Sequence, residues 1–79
     1  MTQMKSTELR RLANEWMGQV VELSLRDSVS PILVKIQSRM NRSNRVSFAR
    51  VDPVTMEEVE PMFGFSAESI EQIRLVHGH

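Results

Sequence analysis

The sequence predicts an all-α fold: a small bundle of three to four helices, completed by self-association. Three observations point there. Leu9, Ala13, Trp16, Val20 and Leu23 recur by four and three, the spacing of one stripe along a helix. Ser30-Pro31 and Ser66 read as helix starts, and Thr55 with Glu58 has capping-box spacing. The composition, 41% hydrophobic and 25% charged, is that of a folded chain, and 79 residues make one domain spanning 1–79. A core this small gains from burial against a partner.

The first helix is expected from Thr7 to Arg26. Ser6 or Thr7 caps it, and Glu8 suits the positive end of its dipole. Leu12 and Met17 widen the apolar stripe, while Val21 and Leu25 fall on the wet side. A second helix starts at Pro31, where a missing N–H costs nothing, and runs to about Met40. Ile32, Leu33, Ile36 and Met40 share one of its faces, and Val34 points away.

Asn41 to Ala49 is polar and reads as a loop. Within it Val46-Ser47-Phe48 alternates, a short extended piece whose partner strand would come from a second chain. Asp52-Pro53 and Thr55 both read as starts of a third helix, which is short or kinked at Pro61 and stops at Gly64 in a left-handed conformation. A fourth runs from Ser66 to about Val76 with Ile70 and Ile73 inward. Residues 1–6 and 77–79 are expected to be frayed tails.

Residues 55–74 resemble a helix-turn-helix motif. Val59, Phe63, Phe65, Ile70 and Ile73 fall where that motif packs its two helices, with Gly64 at the turn. The sequence departs from it at Glu60 and Pro61, and Glu68 and Glu71 on the would-be recognition helix repel phosphate.

Charge is balanced in total but not along the chain. Residues 1–50 hold nine of the ten basic side chains, and residues 51–79 six of the ten acidic ones. The simplest consequence is that the halves neutralise each other in the fold. Arg39, Arg42, Arg45 and Arg50, interleaved with Asn41, Ser43, Asn44 and Ser47, are the candidate contact for nucleic acid or an acidic partner, with Phe48 available to stack on a base.

Catalytic and cofactor chemistry find little footing. There is no cysteine, and the two histidines, His77 and His79, lie in the tail, so no metal site is expected. Glu57/Glu60 and Glu68/Glu71 are carboxylate pairs, but nothing in the pattern desolvates one member of either. The three glycines are isolated, so no phosphate-binding loop is present. No apolar run approaches membrane-spanning length, and Met1 to Arg11 is polar, which predicts a cytoplasmic protein.

These features predict a non-enzymatic interaction or regulatory module, with no cofactor, no small-molecule substrate and no membrane partner. It would self-associate, as a homodimer or with another protein, by helical packing through Leu9, Leu12, Trp16, Val20 and Leu23. The alternative is a small DNA-binding transcriptional regulator, using residues 55–74 with the arginine segment 39–50 on the phosphate backbone.

Overall fold

The computed structural model describes residues 4–76, the side chains at positions 60 and 61 excepted. It overturns the all-α expectation. The described residues form one helix, α1 (Ser6–Glu15), and five strands: β1 (Val20–Leu25), β2 (Ile32–Ile36), β3 (Arg45–Val51), β4 (Glu58–Ser66) and β5 (Ile70–Leu75). A 3-10 turn, Ala67–Ser69, joins the last two strands. The strands form a single antiparallel sheet in the order β4-β3-β2-β1-β5.

The first predicted helix is right only in its first half. Leu9, Leu12 and Ala13 are buried on one face of α1, and Arg11 pairs with Glu15 across one exposed turn at 2.9 Å. The helix ends at Glu15, and Gly18 then takes φ +78°, a conformation that side chains disfavour. The Gly18 N–H bonds the Ile36 carbonyl at 2.9 Å, which turns the chain into the sheet. From Val20 onward the pattern has period two: Val21 and Leu23 are fully buried, and Leu25 packs against the same core. The expectation that Val21 and Leu25 face water is thus reversed.

The second predicted helix is strand β2, with Val34 and Ile36 buried and Lys35 between them facing out. Ile, Val and Leu dominate this segment, and β-branched side chains suit a pleated surface better than a helix. The predicted loop 41–49 is mostly strand β3, whose Val46 and Phe48 are fully buried. Val46-Ser47-Phe48 finds its partners within the chain, in β2 and β4, and needs no second copy.

The helix-turn-helix reading fails over residues 55–74. Thr55 lies in a β3–β4 loop organised by Asp52, whose Oδ1 accepts the backbone N–H groups of Val54 at 2.7 Å and Thr55 at 3.3 Å. Gly64 lies inside β4 and does not take a positive φ. Ile70 and Ile73 belong to β5, and no fourth helix forms. At the N-terminus, Met4 is buried in the core and Ser6 already belongs to α1, so residues 4–6 are not frayed. Residues 1–3 and 77–79, the rest of the expected tails, lie outside the described residues, as do His77 and His79.

The sheet is sharply folded on itself, as its connections require. Unrolled, the end of β4 would lie four strand spacings across and some nine residues down from the start of β5, about 35 Å away. The four steps from Ser66 to Ile70 reach at most about 14 Å. The sheet therefore curls into a partly open barrel. Buried side chains from β1, β2, β3 and β5, Phe48 and Leu23 among the largest, fill it together with Leu9 and Leu12 of α1, and the half-buried Phe65 of β4 packs against them. Ala67, in the 3-10 turn, is 3% exposed and belongs to the same core.

The two described glycines separate cleanly. Neither Gly18 nor Gly64 has an atom within 4 Å of an added Cβ, so backbone conformation alone decides the outcome. Gly18→Ala is expected to lower stability by roughly 1–2 kcal/mol, the cost of a left-handed side-chain-bearing residue. Gly64→Ala is expected to be neutral or stabilising by up to about 1 kcal/mol, since alanine loses less freedom than glycine on folding. Urea unfolding midpoints of the two variants check this.

Candidate functional site

The arginine segment becomes the β2–β3 hairpin, and its tip is tightly specified. Beyond β2 the pairing continues: the Gln37 N–H donates to the Ser47 carbonyl at 2.9 Å, and the Ser47 N–H donates to Ser38 Oγ at 3.2 Å. At the tip, the Asn44 N–H donates to the Asn41 carbonyl at 3.0 Å and the Asn41 N–H to the Arg45 carbonyl at 2.9 Å. Asn44 has φ +60°, which gives a three-residue hairpin loop closed by a left-handed residue. Asparagine tolerates that conformation well. The Asn41 side chain secures the turn, with Oδ1 accepting the N–H groups of Ser43 at 2.8 Å and Arg45 at 3.0 Å. Met40, half-buried, packs against the core at the base of the loop.

Arg39, Arg42 and Arg45 are exposed on this hydrogen-bonded tip. Arg50 is exposed at the far end of β3, five residues or about 17 Å along the strand, so it stands apart from the other three. It lines a shallow cleft of about 220 Å³ with Pro31, Ile32, Leu33, Val51 and Pro53. A second open cleft, of about 300 Å³, lies among Leu25, Asp27, Ser28, Phe65 and Ser69. Both fall at or below the lower limit of ordinary small-molecule pockets.

Mutual neutralisation of the two halves is realised only in part. Lys35 pairs with Glu58 at 3.1 Å and Arg74 with Glu22 at 3.9 Å. Gln37 also donates to Glu58, at 2.8 Å. Arg26 donates to the Glu68 carbonyl at 3.3 Å. Among the described residues, Arg39, Arg42, Arg45 and Arg50 enter no ion pair. Phe48 is fully buried and cannot stack on a base, which removes the aromatic part of the expected nucleic-acid contact.

The other sequence-derived sites are redistributed. Leu9 and Leu12 on α1 and Leu23 on β1 fill this chain's own core, and Trp16 is half-buried against it. Val20 pairs with Lys35 on the opposite face of the sheet. These five residues therefore do not form one surface. In the turn-packing group, Phe63 and Phe65 stack at 5.9 Å on β4, and Phe65 approaches Phe48 at 6.1 Å. Ile70 and Ile73 lie in the core, while Val59 is 39% exposed. Among the described residues no group of three or more His, Cys, Asp or Glu is placed to hold a metal ion. No helix is long and apolar enough to cross a membrane among them.

Comparison with protein-family models, with curated proteins and with solved structures finds no match to this chain.

The hairpin separates structural from surface residues, and substitution should show it. Asn41→Ala removes an acceptor shared by two backbone N–H groups and is expected to cost about 1–2 kcal/mol. Arg39→Ala, Arg42→Ala and Arg45→Ala are each expected to change stability by no more than about 0.5 kcal/mol. Chemical denaturation of the four variants measures both.

Proposed function

We propose that this chain is a small, non-enzymatic binding module whose β2–β3 hairpin grips the phosphate backbone of a nucleic acid. The observation that supports the reading is the set of three exposed arginines, Arg39, Arg42 and Arg45, held on a hydrogen-bonded tip without a carboxylate partner among the described residues. Guanidinium groups present several donors in a planar fork that matches phosphate oxygens. Ser43 and Asn44, exposed between them, add polar side chains to the same tip.

With Phe48 inside the core, the tip offers charge and hydrogen bonds but no aromatic platform. Binding of this kind tolerates many sequences, because phosphate contacts position a strand without reading its bases. It draws its strength from counterion release and therefore depends on salt. The balanced net charge keeps attraction local to the hairpin rather than spread over the whole surface.

Titration of labelled single-stranded RNA, single-stranded DNA and duplex DNA at low salt tests the proposal. Three phosphate contacts on a single strand predict a slope of about −2 in log affinity against log salt. That slope means roughly a fifteen-fold loss of affinity between 50 and 200 mM salt. Each of Arg39→Ala, Arg42→Ala and Arg45→Ala should flatten the slope by about 0.7 while leaving the fold intact. Absence of binding to all three probes at low salt rejects the reading.

A further inference from the structure

We propose that two copies of this chain pair antiparallel along residues 62–66 of β4, about a twofold axis through Gly64. The two edges of the sheet are β4 and β5. Exposed edges invite pairing, and proteins protect them with charges, prolines and bulges. β5 has such protection: Glu71 and Arg74 are exposed along it, and its pairing with β1 is interrupted by a register shift. The first part of β4 has it as well, with Glu58 exposed and a register shift opposite Ala49 and Arg50. The rest of β4, Met62-Phe63-Gly64-Phe65-Ser66, carries no charge and no proline. Met62 there is 61% exposed.

Hydrogen-bond parity fixes which backbone groups this edge presents. The Ser47 carbonyl accepts from Gln37 and its N–H donates to Ser38, so both groups face β2. In an antiparallel strand the N–H and C=O of one residue point to the same side, and the side alternates along the chain. Val46 and Phe48 therefore face β4, and their partners Phe65 and Phe63 face back. Met62, Gly64 and Ser66 are left with their N–H and C=O groups on the open edge.

The segment is symmetric about Gly64, with a phenylalanine on either side. A twofold axis there places Gly64 opposite the partner's Gly64 as a doubly hydrogen-bonded pair, and Met62 opposite the partner's Ser66 with two more bonds. The parity derived above is the one this arrangement needs. Phe63 then falls opposite the partner's Phe65 at positions without hydrogen bonds, where paired Cα atoms approach to about 4.5 Å and side chains meet most closely. Both rings are only half-buried in the single chain. The pairing covers them and merges the two sheets into one. A closed twofold interface of this kind uses the same patch on both copies.

The chain contains no cysteine, so single-cysteine variants report this geometry directly. Sedimentation of the unmodified protein should show a dimer. Gly64→Cys places two thiols about 5.5 Å apart by Cα, inside the range of a disulfide. Ser66→Cys places them about 14 Å apart, beyond it. Under mild oxidation at equal concentration, Gly64→Cys should cross-link at least tenfold faster than Ser66→Cys. Gly64→Lys, which sets like charges face to face in space the single chain leaves open, should raise the dimer dissociation constant at least tenfold with an unchanged circular dichroism spectrum. A monomer at high micromolar concentration, equal cross-linking of the two cysteine variants, or rings and chains larger than a dimer (the product of β4 pairing with β5) would each overturn the proposal.

Discussion

Three residues, Ala67–Ser69, link strands that lie at opposite edges of the sheet. A flat sheet cannot be joined by so short a connection, so the chain either folds the sheet over or gives up one edge strand. Folding it over creates an interior, and that interior explains the burial pattern of every strand. It also leaves an opening that α1 covers with Leu9, Leu12 and Ala13. Ala67 fits this role, since a small apolar residue at the connector can enter the core where a larger one would push the edges apart.

The same sharp curvature explains why much of the fold was hidden in the sequence. Curved sheets need bulges, and bulges disturb period two. In β5 the register passes from Ser24 paired with Gln72 to Leu25 paired with Ile70, so the buried Ile70 and Ile73 lie three apart, as on a helix. In β4, Arg50 pairs with Val59 while Ala49 pairs with Met62, and Val59 and Phe63 lie four positions apart. Spacings of three and four then read as helical although the segments are extended. In the first half a true helix, α1, ran into a strand whose Val20 and Leu23 happen to continue its rhythm. The competing alternation of Val21, Leu23 and Leu25, and the β-branched density of Ile32 to Ile36, carried the correct signal.

The hairpin was easier to read than the scaffold that bears it. A run rich in Arg, Asn and Ser marks an exposed turn under either fold, because such residues cannot fill an interior. Its hydrogen bonding was not legible, since that depends on Asn41 reaching two backbone amides and on Asn44 accepting a positive φ. The separation of Arg50 was hidden too. Nearness along a chain suggests one cluster, whereas an extended strand carries its two ends far apart. The aromatic residues changed roles outright: Phe48, proposed as a surface platform, is a central core residue, and Phe63, proposed as core, lies half open at the edge.

The pairing of β1 with β5 has a kinetic consequence. Leu25 meets Ile70 and Val21 meets Leu75, contacts between residues about as distant in sequence as this sheet allows. The neighbours β1–β2, β2–β3 and β3–β4 are joined by short connections and can zip locally within microseconds, the time in which an isolated hairpin forms. Closure by β5 must wait until those strands are in register, because only then is the search for its partner short. A topology so rich in distant contacts folds orders of magnitude more slowly than a helical bundle of equal length. Until closure, Val21, Leu23 and Leu25 of β1 lack the cover that Ile70 and Ile73 of β5 give them in the finished core.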